Sequence, residues 1–143
     1  RFLSRLTKGN GMARLARPRV LIVEDELLIA IDLRVMLEDN GYEVVGIAKD
    51  FFQVMDEIAA GTVDVAVVDV RLRRGPNGVA VAKWLREEHD IPSLFVSAGI
   101  GDAMVTEALA ARPIGFVDKP YAETWLIGPL NAATQMQSEG LNI

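Results

Sequence analysis

Cysteine is absent from all 143 residues, which excludes both a disulfide framework and a thiolate metal site. No apolar run approaches the roughly 20 residues that a helix needs to cross a bilayer. Together these absences suit a reducing, cytoplasmic setting without membrane contact. Internal repeats and low-complexity stretches are missing too. Acidic residues are lacking from residues 1–19, which hold six of the 15 basic side chains (Arg1, Arg5, Lys8, Arg14, Arg17, Arg19), a net charge of +6. Residues 20–143 carry the other nine basic and all 20 acidic side chains, a net of −11. A body this acidic argues against nucleic-acid binding by the domain. The basic start has two readings: contact with an anionic surface, or an unstructured leader outside the domain. It has no apolar core of a signal peptide, and Met12 offers a natural start. The expected division is a basic leader over 1–17, one domain over 18–137 and a frayed tail over 138–143.

What is present is a fivefold alternation of strand and helix. Apolar runs at 19–23 (RVLIV), 43–48 (EVVGIA), 64–69 (DVAVVD), 93–97 (SLFVS) and 114–117 (IGFV) read as strands. Helical patterns follow each one. Ile29, Leu33, Met36 and Leu37 form one stripe, stopped at Asn40-Gly41. Asp50 can cap a second helix whose Phe51, Met55 and Ile58 share a face. Val81, Trp84 and Leu85 line a third, with Lys83, Arg86 and Glu87 on its polar side. The fourth, from about Asp102 to Ala111, has a face thin in large side chains and should be loosely held. The last runs from near Tyr121 to about Gln137, and Gly128-Pro129 inside it predicts a kink or break. Such alternation calls for an α/β fold, a parallel sheet covered on both faces. The flavodoxin-like strand order 2-1-3-4-5 is one of the two common solutions.

In such sheets ligands gather beyond the carboxyl ends of the strands. Strand one delivers Glu24 and Asp25 there, strand three Asp69, strand four Ser97 and strand five Lys119. Taken singly, Asp69 could cap a strand or start a turn, Ser97 could be a turn hydroxyl, and Lys119 a solvated charge. If strands one and three are neighbours, however, three carboxylates share one crevice. Each pair at ~4 Å repels by about 4 kcal/mol at an effective dielectric of 20. A raised pKa, the Lys119 ammonium or a divalent cation must offset this. An all-oxygen site with open water positions suits Mg²⁺. A carboxylate nucleophile, a metal and fixed donors are also what in-line phosphoryl transfer to a carboxylate requires.

IVEDE, VVDVRL, FVSAG and FVDKP, in this order and spacing, resemble the response-regulator receiver domain over about residues 18–137. The resemblance implies that Asp69 is a phosphoacceptor and that Mg²⁺ (or Mn²⁺) is held by Asp25, Asp69 and the backbone carbonyl of Arg71, with Glu24 assisting through water. It implies that Ser97 and Phe116 are switch residues, that Lys119 contacts the phosphoryl group, and that the Lys119-Pro120 bond is cis. Phe116 as plain core is the competing reading. The implied partners are a sensor histidine kinase or a histidine phosphotransfer protein upstream and an unidentified protein downstream, met through a surface of the fourth helix, fifth strand and last helix. His89, the only histidine, reads as a surface residue and not a phosphodonor; Trp84 and Trp125 read as packing or interface residues. The loop after Asp69, with Arg71, Arg73 and Arg74, is more basic than the family pattern suggests.

Other functions fit less well. A dehalogenase-like phosphatase needs an acid two residues after its Asp, and here that position is Arg71. A flavodoxin-like cofactor binder needs a phosphate loop after strand one, where Glu24-Asp25-Glu26 would repel phosphate. The expectation is therefore a signalling phosphoacceptor and not an enzyme of its own. A pseudo-receiver acting without phosphorylation and a receiver cut from a longer regulator are the alternatives.

Overall fold

The computed structural model describes residues 17–143, together with the backbone of 6–9 and 12–15. Strands β1 (Leu6–Gly9) and β2 (Met12–Leu15) pair antiparallel as a sheet of their own. The expectation of an unstructured leader over 1–17 thus falls partly outside the described residues and partly on this strand pair. The main sheet contains β3 (Arg19–Val23), β4 (Glu43–Ala48), β5 (Val65–Asp69), β6 (Ser93–Ser97) and β7 (Gly115–Asp118). Between and after them come α1 (Leu27–Asp39), α2 (Phe51–Ala60), α3 (Gly78–His89), α4 (Asp102–Leu109) and α5 (Glu123–Ser138). All sheet pairings are parallel and the order is β4-β3-β5-β6-β7, the 2-1-3-4-5 order of a flavodoxin-like fold.

The central strand shows why the order works. Every residue of β5 is buried, so it must be covered on both faces. Leu21, Val23, Ala66, Val68 and Phe95 point into one core, completed by Val54 of α2, Leu85 of α3 and Ala108 of α4. Val20, Ile22, Val65, Val67, Leu94 and Val96 point into the other, against Leu33 and Leu37 of α1 and Leu126 and Leu130 of α5. Each fully buried Val, Leu, Ile or Phe contributes about 1.5–3 kcal/mol. Local signals agree with this packing. Asp50 accepts the Gln53 N–H at 3.0 Å and so caps α2. Asn77 accepts the Ala80 N–H at 2.9 Å and caps α3.

Two expectations need correction. The break at Gly128-Pro129 is not there: α5 runs through Pro129 from Glu123 to Ser138. Leu126 and Ile127 before the proline, and Leu130 and Ala133 after it, are all buried, so tertiary packing holds both halves to the sheet. Arg86 does not lie on an exposed polar face but is buried. Its guanidinium donates to the carbonyls of Ala111 (3.3 Å) and Arg112 (2.6 Å), just past α4. The thin face expected of α4 is found: Ala108 is its one buried residue. Among the described residues no helix is long and apolar enough to cross a membrane.

Candidate functional site

The register of the two central strands builds the site. Val23 pairs with Val68, so the next residues, Glu24 just past β3 and Asp69 at the end of β5, stand side by side. The Glu24 N–H donates to the Ala48 carbonyl at 2.9 Å and keeps this exit in line with β4. Glu24 and Asp69 are buried, and Asp25 lies further out. One carboxylate oxygen from each of Glu24, Asp25 and Asp69 lies within 4.8 Å of the others. Lys119 comes from the far side. Ser97 pairs with Asp118 in the β6–β7 register, and the Lys119 N–H donates to the Ser97 carbonyl at 2.7 Å. Its Nζ then donates to Glu24 Oε1 at 2.9 Å and stands 3.6 Å from Asp69 Oδ2. The Lys119–Pro120 bond is cis.

Burial pushes the Glu24 carboxyl above the usual range; the Lys119 bond pulls it back and Asp69 adds to the rise. Burial would lower the Lys119 ammonium, but Glu24 and Asp69 outweigh it and hold the group above its ordinary value. Tyr121 beside this cluster is pushed up to about 12, by burial first and then by the charges of Glu24 and Asp32. One ammonium therefore faces three carboxylates. Among the described residues, Arg73 also donates its backbone N–H to Asp25 Oδ2 at 2.9 Å and places its guanidinium 3.3 Å from Glu26. That guanidinium is 73% exposed, so its ion pairs are weak. The negative charge left over and the oxygen-only donor set fit a hard divalent cation such as Mg²⁺.

The other expected residues stand around this centre. The Arg71 N–H donates to Asp69 Oδ1 at 3.1 Å. Ser97 is buried one strand away, and its bonds are those of a turn hydroxyl. It donates to the Gly99 carbonyl at 2.8 Å and accepts the Gly99 N–H at 3.0 Å, with no bond to Asp69 among the described contacts. Phe116 is 38% exposed, which rules out the plain-core reading. Its ring stacks on Phe95 at 5.5 Å between centroids. His89 packs edge-on against Trp84 at 4.8 Å, far down α3 from the carboxylates. The structure thus brings Glu24, Asp25, Asp69 and Lys119 together and leaves Ser97 and Phe116 as neighbours bonded elsewhere.

Sequence reasoning missed Gly78. Its N–H donates to the Val70 carbonyl at 2.9 Å, and a Cβ there would fall 1.8 Å from the Asp69 carbonyl oxygen. The signal was a glycine directly after the capping Asn77, where α3 turns back onto the end of β5.

Comparison with known proteins agrees with this geometry. The family model described as the response regulator receiver domain matches residues 20–131. The transcriptional regulatory protein PdtaR of Mycobacterium tuberculosis is 31% identical over 115 residues, 80% of this chain and 56% of that protein. The sensory transduction protein BceR of Bacillus subtilis is 28% identical over 114 residues, 80% of this chain and 48% of that protein. The chain thus spans about half the length of the curated relatives it matches. Among solved structures, the signal receiver domain of a modulated diguanylate cyclase from Desulfovibrio desulfuricans superposes with a TM-score of 0.80 at 29% identity, covering 87% of this chain and 98% of that one.

Proposed function

The chain belongs to the response-regulator receiver family, and from that premise we propose that it accepts a phosphoryl group on Asp69 from a phosphohistidine donor. Proteins of this family act in two-component signalling and not as enzymes in the ordinary sense. The donor would be a sensor histidine kinase or a histidine phosphotransfer protein. In the transfer, an Asp69 oxygen forms a bond to phosphorus while the donor's P–N bond breaks, and the electron pair returns to the imidazole. A Mg²⁺ (or Mn²⁺) ion held by Asp25, Asp69 and the Arg71 carbonyl, with Glu24 assisting, would neutralise charge on the transferred group. Lys119 supplies a fixed ammonium for a phosphoryl oxygen. The observation that carries this reading is the convergence of Asp69 with two further carboxylates and the Lys119 ammonium 3.6 Å away.

The new group adds about −1.5 to −2 charge and three acceptor oxygens. Ser97 leaves the Gly99 carbonyl to donate to one of them, and Phe116 turns into the space released. The face of α4, β7 and α5 then changes shape for a downstream protein. The turn-bonded Ser97, the exposed Phe116 and the single buried residue of α4 support this order of events. A few kcal/mol of preference for the phosphorylated arrangement shifts the population decisively.

Incubation with acetyl phosphate and Mg²⁺ tests the reading. Intact mass should rise by one phosphoryl group in the wild type, only with Mg²⁺, and not in Asp69→Ala. Ser97→Ala should take the label yet lose the change in amide exchange along α4 and β7. No mass gain in the wild type refutes the acceptor role and favours an interaction module that works without phosphorylation.

A further inference from the structure

A groove of about 300 Å³ lies between the C-terminal half of α5 and the segment that leads into β7. Pro113 and Ile114 form one wall, Ala132 and Met136 the other, and Ile143 of the tail, itself half-buried, lines it too. Arg86 of α3 is its one polar lining residue, and that side chain is only 3% exposed. Its guanidinium is fixed at the Pro113 wall, because it donates to the carbonyl of Arg112 at 2.6 Å, the residue just before that proline. It also donates to the Ala111 carbonyl and to Asp90, each at 3.3 Å. These bonds use three of the five N–H groups of a guanidinium; the others have no partner among the described residues. The one anion beside it, Asp90, is 77% exposed and screened by water. Arg112 adds a like charge that works against it. An apolar groove thus carries a buried cation that is incompletely neutralised and has donors to spare.

We propose that this groove binds a small aliphatic carboxylate, its chain along Ile114, Ala132 and Met136 and its head group on the remaining N–H groups of Arg86. The volume is at the lower end of small-molecule sites, and apolar walls with one placed polar group are their usual lining. A carboxylate matches a guanidinium in shape and charge. A phosphate would bring more negative charge than one cation offsets, and an amine would meet Arg86 as a like charge. The same guanidinium clamps the turn after α4, and Ile114 leads into β7. An occupant therefore stiffens the base of two elements of the face assigned above to a downstream protein. The groove is a second input to that face, and its existence does not depend on Asp69 as acceptor.

Calorimetric titration of the full chain with octanoate, hexanoate, 1-octanol and octylamine tests this. Octanoate should bind one to one. Hexanoate should bind roughly 15-fold more weakly, since each buried methylene is worth about fourfold in affinity. Octanol should bind about tenfold more weakly, the margin of a charged hydrogen bond over a neutral one, and octylamine not at all. Ala132→Phe fills the groove from an exposed helix position, so it should keep the wild-type urea midpoint yet lose octanoate binding. Arg86→Met should lose the preference for octanoate over octanol. Octanoate should also slow amide exchange over Ala108–Arg112 in the wild type. Octanol or octylamine binding as tightly as octanoate would overturn the role of the guanidinium, and with it the proposal. Octanoate binding unchanged in Ala132→Phe, or absent from the wild type at millimolar concentration, would overturn the site. None of these outcomes touches the labelling of Asp69.

Discussion

At Gly78 a single hydrogen atom in place of a methyl group decides whether the acceptor strand can end where it does. A Cβ there meets the Asp69 carbonyl oxygen at 1.8 Å, the Asp69 carbonyl carbon at 2.7 Å and the Val70 Cα at 2.9 Å. All three are backbone atoms, so no flexible side chain can yield. Gly78→Ala would gain about 1 kcal/mol of helix propensity, but overpacking costs about 1–3 kcal/mol and more where the backbone itself must shift. The clash should win. The urea midpoint should fall, and labelling of Asp69 should slow because the displaced residue is the acceptor. Gly128→Ala is the control, since nothing lies within 4 Å of its Cβ position. It should leave stability unchanged or raise it by about 0.5–1 kcal/mol. A Gly78→Ala protein as stable and as readily labelled as the wild type would show that this contact does not set the site.

At the scale of elements, α4 is held mainly at its far end. Inside the helix Ala108 alone is buried, but the turn after it is clamped by Arg86 from α3 through the carbonyls of Ala111 and Arg112. Arg86 also meets Asp90 at 3.3 Å, a partner 77% exposed and so of little weight. Burial, the Arg112 charge opposing it as well, lowers the Arg86 pKa against the pull of Asp90. Arg86→Met keeps the apolar stem but strands two carbonyls. It should cost about 1–3 kcal/mol, read as a lower urea midpoint, and speed amide exchange over Ala108–Arg112. Unchanged exchange there would mean that α4 is anchored by something else. Arg86 also marks what the sequence could and could not convey. The strands, the cap at Asp50 and the acids at the strand ends were legible because each signal is local: an apolar run, then a polar residue. Periodicity equated charge with exposure at Arg86, because the carbonyls that bury it lie 25 and 26 residues further on. Of the kink or break expected at Pro129 the break is absent for a similar reason: a local penalty of about 3 kcal/mol is outweighed by core contacts on both sides of it.

At the scale of the whole molecule, the only two tyrosines in the chain both pack on the core that α1 and α5 cover. Tyr42 follows α1, is buried, and donates its hydroxyl to Asn131 Oδ1 at 2.8 Å on α5. Burial raises its phenol above the ordinary 10.0, and the Thr134 contact only partly offsets this. Tyr121, where the chain leaves β7 for α5, is raised to about 12. A phenol whose folded pKa exceeds its unfolded value holds its proton more tightly when folded. Stability from both groups is therefore complete below about pH 10 and is lost as pH climbs through the folded values. The direction follows from neutral phenols, so it holds whatever the charge on the carboxylate cluster at lower pH. Tyrosinate absorbance should stay low past pH 10 in the folded protein and then rise together with unfolding, while urea midpoints fall over the same interval. Tyr42→Phe should flatten that fall, because the phenylalanine has no proton to release. Tyrosinate appearing near pH 10 in a protein that is still folded would show that neither phenol is shielded, and that the seam between α1 and α5 is open to water.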